Sequence, residues 1–356
     1  MKNLNLNLNL LSILIISSIN CFAQSTPSEM AEMSLQELFF EDVYDDDATS
    51  PWTLVSQFKV VEFEDYLDGT QSVSYDEVLW DGPMGVEPRT ANNFPVVPTV
   101  ITQKAAIFAV GYKLSSQWQG SLLLPYINQE TDHISSVPGY SNFTIETSGI
   151  GDIAAVALYS WYSSNKGVWG FSFGASLPTG SIDEEGDTPR PTEDDKEQLP
   201  YTMQLGSGTY DFSFAISYQY SGAHDINVGL SAKMRTGKND RNYRLGNNYG
   251  LTGRYQFNLS PRLQPFIRLG FEYSEKIHGQ DDSLIIPGLP VSPYPASITN
   301  PELFGGKKIN LGLGLLWRVV KDFRLTVEGG APLYQSLNGP QPKENWQTSI
   351  TISTPL

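Results

Sequence analysis

Residues 169–177 alternate strictly, with Trp169, Phe171, Phe173, Ala175 and Leu177 set between Gly170, Ser172, Gly174 and Ser176. Successive side chains of a β-strand point to opposite faces, so this run carries one apolar face and one small, polar face. Residues 210–219 repeat the pattern with bulkier groups: Tyr210, Phe212, Phe214, Ile216 and Tyr218 against Asp211, Ser213, Ala215, Ser217 and Gln219. A strand of a soluble sandwich could read this way once. Here the apolar face is bulky and aromatic, and the period recurs nearly to Leu356. A barrel in a bilayer needs that recurrence, because every strand must alternate between lipid and an enclosed interior.

Counting such runs predicts about twelve strands, near 52–64, 100–112, 117–124, 150–161, 168–177, 209–219, 226–234, 249–259, 262–274, 309–319, 323–333 and 346–354. Several approach the roughly 9–11 residues of a tilted membrane strand. The gaps between them alternate in length. Short ones fall at 113–116, 162–167, 220–225, 260–261 and 320–322, long ones at 65–99, 125–149, 178–208, 235–248, 275–308 and 334–345. Short periplasmic turns and long external loops are the rhythm of an outer-membrane barrel, with both termini in the periplasm. The expected fold is therefore all-β: an antiparallel up-and-down transmembrane β-barrel in the cell outer membrane, preceded by a short N-terminal helix.

Three segments are expected. Residues 1–23, with Lys2, an apolar run at 10–19 and Cys21-Phe22-Ala23, read as a secretory signal peptide. The apolar run is shorter than the ~20 residues of a helical span; lipidation at Cys21 is the alternative. Residues 24–50 form a periplasmic segment in which Thr26-Pro27-Ser28-Glu29 marks a helix start and Ala31, Leu35, Leu38 and Phe39 share a face. Its residues 33–38 are similar to a segment near the mature start of many TonB-dependent receptors. Packing against the barrel end is the expectation, a plug or periplasmic contact the alternative. Residues 51–356 form the barrel. Because Cys21 is the single cysteine, nothing after Ala23 can supply a disulfide, a thiol nucleophile or a cysteine zinc site.

The order Gly149-Ile150-Gly151-Asp152, then Leu177-Pro178-Thr179-Gly180, then an acidic loop, then Gly206-Ser207-Gly208-Thr209-Tyr210-Asp211-Phe212 resembles the outer-membrane barrel family named for the MetA pathway of phenol degradation. The resemblance covers about residues 104–274. It implies a barrel that transports small compounds, aromatic ones among them, and adds no catalytic residue.

Polar residues predicted to face inward are Asp152, Asp211, Lys233, Arg254, Arg268, Glu272, Arg318, Arg324 and Glu328; these are the candidate lumen-lining positions. They could form rings that select solutes, or ion pairs that fill a narrow lumen. Residues 105–108 and 153–158 are apolar on both faces, so something apolar also lies inside. The formal charge of −16 gathers at 41–47, 62–68 and 183–197. Solvated loops are expected there, with divalent cations at acidic loops as the sharper reading. So acidic a chain is not expected to bind nucleic acid.

His133, His224 and His278 show no metal-ligand spacing. His133-Ile134-Ser135, placed in a predicted loop, resembles the close His and Ser of outer-membrane phospholipases. No enzyme activity, metal or cofactor is expected. The functional expectation is a passive, porin-like transporter or channel for small, aromatic or hydrophobic solutes, in contact with outer-membrane lipid. The alternative is a sealed barrel that displays its loops as a binding or structural element.

Overall fold

The computed structural model of the protein describes residues 50–80, 82, 90–163, 167–189, 196–287, 291–320 and 323–356. The expected signal peptide, N-terminal helix and acidic run at 41–47 lie outside them. The described strands of nine residues or more begin at Trp52 and run in chain order as β1 (Trp52–Gly69), β2 (Val96–Lys113), β3 (Trp118–Ser135), β4 (Asn142–Ile150), β5 (Ile153–Tyr162), β6 (Gly167–Leu177), β7 (Asp211–Tyr220), β8 (His224–Arg235), β9 (Asn248–Phe257), β10 (Leu263–Ser274), β11 (Gly306–Val320) and β12 (Phe323–Pro355). Each pairs antiparallel with its sequence neighbours, except that β3 carries β4 on its distal part and β5 on its proximal part. Pairing of β12 with β1 closes the ring of eleven strand elements, β4 standing outside that path. The 33-residue β12 lends its first part to β11 and its second to β1. Gln335 and Glu344 exchange hydrogen bonds of 2.8 and 2.9 Å across it, so β12 is itself a hairpin turning at Asn338-Gly339. The wall thus has the twelve staves that the alternation predicts.

Alternation becomes two surfaces. Phe58, Phe108, Leu122, Phe173, Phe214, Leu230, Leu251, Leu269 and Leu313 are exposed on the outside of the wall. A soluble protein does not present such a continuous apolar girdle, whereas a lipid-facing one requires it. At the short-turn end the pairs Trp52–Tyr112, Trp118–Tyr159 and Trp169–Tyr218 sit 4.5, 5.0 and 4.9 Å apart between ring centroids. Rings with one apolar and one polar end suit a bilayer boundary. No helix among the described residues is long and apolar enough to cross a membrane; the crossing is made by strands.

Two expected long loops are strand instead. Residues 125–135 and 142–150 extend the wall as a hairpin, and 334–345 belongs to β12 on either side of the point where it changes partner from β11 to β1. Pro125 cannot donate to a ladder. It sits where β3 changes partner from β5 to β4, and its carbonyl accepts the Gly151 N–H at 2.9 Å. The ladder is broken there in any case.

Candidate functional site

The interior of the ring has two unlike sides. Along β1, β2, β3 and β5 the inward positions are Val55, Ile101, Ala105, Ile107, Ala109, Leu123, Ala154, Val156 and Leu158, all buried in one apolar cluster. This is the inner apolar surface expected from residues 105–108 and 153–158. Along β9, β10, β11, β12 and β1 the inward positions are polar. They surround a cavity with about 80 Å³ of space for the centres of water-sized molecules, lined by Gln57, Lys59, Arg268, Glu272, Glu328 and Ser349 among others. One water needs about 10–15 Å³ on this measure, so the cavity holds several.

The charges beside this cavity are paired. Arg268 Nη2 lies 2.8 Å from Glu328. Lys308 Nζ bridges Glu272 at 3.1 Å and Glu344 at 2.5 Å, and Asn310 donates to Glu272 at 3.2 Å. Pairing answers the cost of enclosing charge away from bulk water. Arg254 lies 3.7 Å above the Phe266 ring and donates to Gln256 at 2.9 Å. Arg318 and Arg324 are register partners at the short-turn end, Arg318 exposed and Arg324 half-buried. Lys308 and Glu344 were not among the sequence candidates, because both fell in segments expected to be loops. Strand parity could have found Lys308: with Ile309, Leu311 and Leu313 outward, residue 308 must face inward.

Asp152 and Asp211 lie elsewhere. Asp152, 1% exposed, accepts from the backbone N–H of Gly180, the backbone N–H of Ser207 and the Ser207 hydroxyl, each at 2.8 Å. Thr179 Oγ1 accepts from Ile153 N–H at 2.9 Å and donates to the Gly151 carbonyl at 3.0 Å. The three motifs that are far apart in sequence thus meet in one knot. A Cβ on Gly206 would stand 2.3 Å from the Gly180 carbonyl oxygen, so both glycines are needed for the backbones to pass. Asp211 pairs with Arg235 and with Lys233 (3.4 Å), and accepts from Thr209 Oγ1 at 2.6 Å. Together these contacts fasten Thr179-Gly180 and Gly206–Thr209 to the wall.

The fastened loop meets two others above the lumen. The buried Tyr201 ring stands 4.8 Å from Tyr243 and 5.7 Å from Phe304, and its hydroxyl accepts from the Asp281 N–H at 3.0 Å. Burial raises the Tyr201 and Tyr243 pKa values well above the usual phenol range. Arg241 ties Asp183 (2.7 Å) to Asp281 (3.3 Å). Asp183, at the start of the run expected as solvated acid, is therefore engaged by arginine. Among the described residues no group of three or more His, Cys, Asp or Glu is placed to hold a metal ion.

His133 lies on β3, not in a loop, and is 3% exposed. The Ser135 hydroxyl accepts from Val137 N–H at 3.0 Å, and His133 Nδ1 has no hydrogen-bond partner. The pair lacks the nucleophile–base contact that covalent catalysis requires.

The comparisons agree with this architecture. The family described as "Putative MetA-pathway of phenol degradation" matches residues 96–333. No curated protein matches the sequence. Among solved structures, the COG4313 outer membrane channel from Pseudomonas putida F1 is similar at 14% identity and TM-score 0.54, covering 86% of this chain and 95% of that one. The translocator domain of the autotransporter NalP from Neisseria meningitidis (9% identity, 93% and 98% covered) and the transport unit of the autotransporter AIDA-I from Escherichia coli (9%, 94% and 100%) follow at TM-scores of 0.44 and 0.43. The first of these likenesses establishes the fold alone.

Proposed function

The chain belongs to the family described as "Putative MetA-pathway of phenol degradation", and on that premise we propose that it is a passive outer-membrane channel for small solutes, aromatic or hydrophobic ones included. The observation that carries this reading is the polar strip inside a lipid-facing ring, where Arg268, Glu272 and Glu328 line a cavity large enough for several waters and Lys308 and Glu344 are paired behind Glu272. A wall that only had to be stable could fill that space with apolar side chains, as its β2–β5 side does. The apolar side opposite gives a solute with a greasy body a surface to slide along while its polar group stays on the strip. Asp152, Asp211, Lys233 and Arg235 hold the outer loop; Arg254, Arg268, Glu272 and Glu328 border the path; Arg318 and Arg324 stand at its periplasmic end. The outer-membrane channel from Pseudomonas putida F1 supports the reading as a protein of similar fold. Reconstitution in a planar bilayer tests it: discrete current steps and swelling of vesicles in small aromatic alcohols are expected, and a sealed bilayer with no swelling refutes it.

The Tyr201, Tyr243 and Phe304 cluster over the outer mouth favours a second reading, a barrel closed at its outer end that presents its loops. Tyr201→Ala discriminates. Current that appears only in this variant means the cap closes the wild-type channel.

A further inference from the structure

Inward glycines make room for the cavity on the polar strip: Gly270 on β10, Gly312 on β11 and Gly330 on β12. Gly270 is the register partner of Asn310, and Gly312 that of both Arg268 and Gly330. A Cβ added at Gly270 would meet nothing within 4 Å, so open space begins at its backbone. The room comes to about 80 Å³ for the centres of water-sized molecules, which holds about five to eight waters at 10–15 Å³ each. A three-carbon polyol, with about six non-hydrogen atoms, displaces about as many. Apart from the glycines and Leu311, whose side chain points outward, every lining residue is polar or charged. A ring or an alkyl chain finds no apolar wall here.

Two amides of the lining carry atoms that the protein leaves unmet. Asn310, 7% exposed, donates to the Glu272 carboxylate at 3.2 Å, which fixes the orientation of its amide, and its Oδ1 is buried without a hydrogen-bond partner. Gln57, also 7% exposed, donates to Thr351 Oγ1 at 3.1 Å, and its Oε1 is likewise buried without one. A hydroxyl both gives and takes, so turning the Gln57 amide over on Thr351 would only leave an N–H unmet in place of the oxygen. Buried polar atoms are seldom left so, and those that line a cavity are satisfied by what fills it. The formal charges of the lining cancel, Lys59 and Arg268 against Glu272 and Glu328, and the Lys308–Glu344 pair behind them adds none. An ion entering would give up its water for no net countercharge.

We propose that this cavity is a binding site for a small uncharged polyol, one hydroxyl donating to Asn310 Oδ1 and a second hydrogen-bonded to the Gln57 amide. Hydroxyls match both amides because each can donate and accept. A solute with no donor leaves Asn310 as it was. The site rests on the channel reading for its access to water, and it gives that channel a hydrophilic solute class held on the polar strip, across from the buried apolar cluster of β1, β2, β3 and β5.

Saturation-transfer NMR on the full chain in deuterated detergent tests this with probes of equal size: glycerol, dimethoxyethane (uncharged, without a donor), lactate (an anion) and protonated serinol (a cation). The wild type is expected to bind glycerol saturably and each of the others about fivefold more weakly or less, the worth of one hydrogen bond. Asn310→Leu keeps the shape of the side chain without its amide and should bring glycerol down to the level of dimethoxyethane. Gly270→Leu puts a side chain into the open space and should abolish glycerol binding. The comparison of probes on the wild type needs no variant. Absent saturable glycerol binding, any other probe bound as tightly, or glycerol affinity unchanged in a folded Asn310→Leu or Gly270→Leu protein each overturns the site. None of these reads conductance, so a protein that binds but does not conduct keeps the site and loses the channel, and one that conducts without binding does the reverse.

Discussion

Replacing Asp152 by alanine should release the outer loop while leaving the wall standing. The carboxylate is buried and accepts three hydrogen bonds at 2.8 Å. Truncation strands the N–H groups of Gly180 and Ser207; the Ser207 hydroxyl can turn to the Thr209 carbonyl, already 3.1 Å away. Each stranded donor costs about 1–3 kcal/mol, and relief from burying the carboxylate offsets part of the sum. A net loss of about 3 kcal/mol for the knot corresponds to a roughly hundredfold larger open population. The strand ladders around Asp152 do not use its side chain, so the penalty falls on the loop. Hydrogen exchange of a peptide spanning 197–209 reads it, because Leu205 and Gly206 donate to the Ser181 carbonyl only while the loop is closed. Exchange there should speed up by about two orders of magnitude, and Asp152→Asn, which keeps one acceptor oxygen, should fall between. Wild-type exchange rates in a folded Asp152→Ala protein would show that the knot is not what holds the loop.

Glu328→Gln deprives Arg268 of its partner at 2.8 Å and leaves the strip one positive charge richer, so the reversal potential in a salt gradient should shift toward anions severalfold in permeability ratio. His133 has a folded pKa near 4 against about 6.5 unfolded. Its neutral form is fully tolerated above pH 6.5, and stability is lost as pH falls from 6.5 toward 4, by up to about 3 kcal/mol. Urea midpoints of wild type and His133→Phe should therefore diverge in their pH dependence across that window and run parallel above it. Gly339→Ala forces an L side chain into φ +89° with its Cβ 2.5 Å from Leu303, and should lower the urea midpoint by about 1–2 kcal/mol in stability.

What the sequence disclosed, it disclosed through contrast. Phe212, Phe214 and Ile216 against Ser213, Ala215 and Ser217 announce lipid on one side and an interior on the other, and the structure places them so. The contrast fades above the bilayer. Gln129, Thr131 and His133 face inward on β3 while Asn128, Glu130 and Asp132 face outward, polar against polar, because the outside there meets water and the inside meets loop carbonyls such as those of Met203 and Gln204. Period-two hydrophobicity cannot mark such a strand. Asn338-Gly339 is a hairpin-turn signal in its own right, set inside the segment 334–345 expected as a long loop. The inward acids and bases were legible by parity wherever the strand was found, as with Arg268, Glu272 and Glu328, and lost where it was not, as with Glu344. The role of Asp152 was not legible from parity, since three motifs more than fifty residues apart end to end must fold together before its carboxylate has partners.

The central claim is that solute moves along the polar strip within the ring. Single-channel current through Ser349→Cys, made with the chain's single cysteine Cys21 replaced by serine, tests it most directly, with Leu313→Cys as the lipid-facing control. A cationic methanethiosulfonate reagent should cut the current of the Ser349 variant and leave that of the Leu313 variant unchanged. A Ser349 variant that conducts equally before and after modification, or a wild type with no open level at all, contradicts the account.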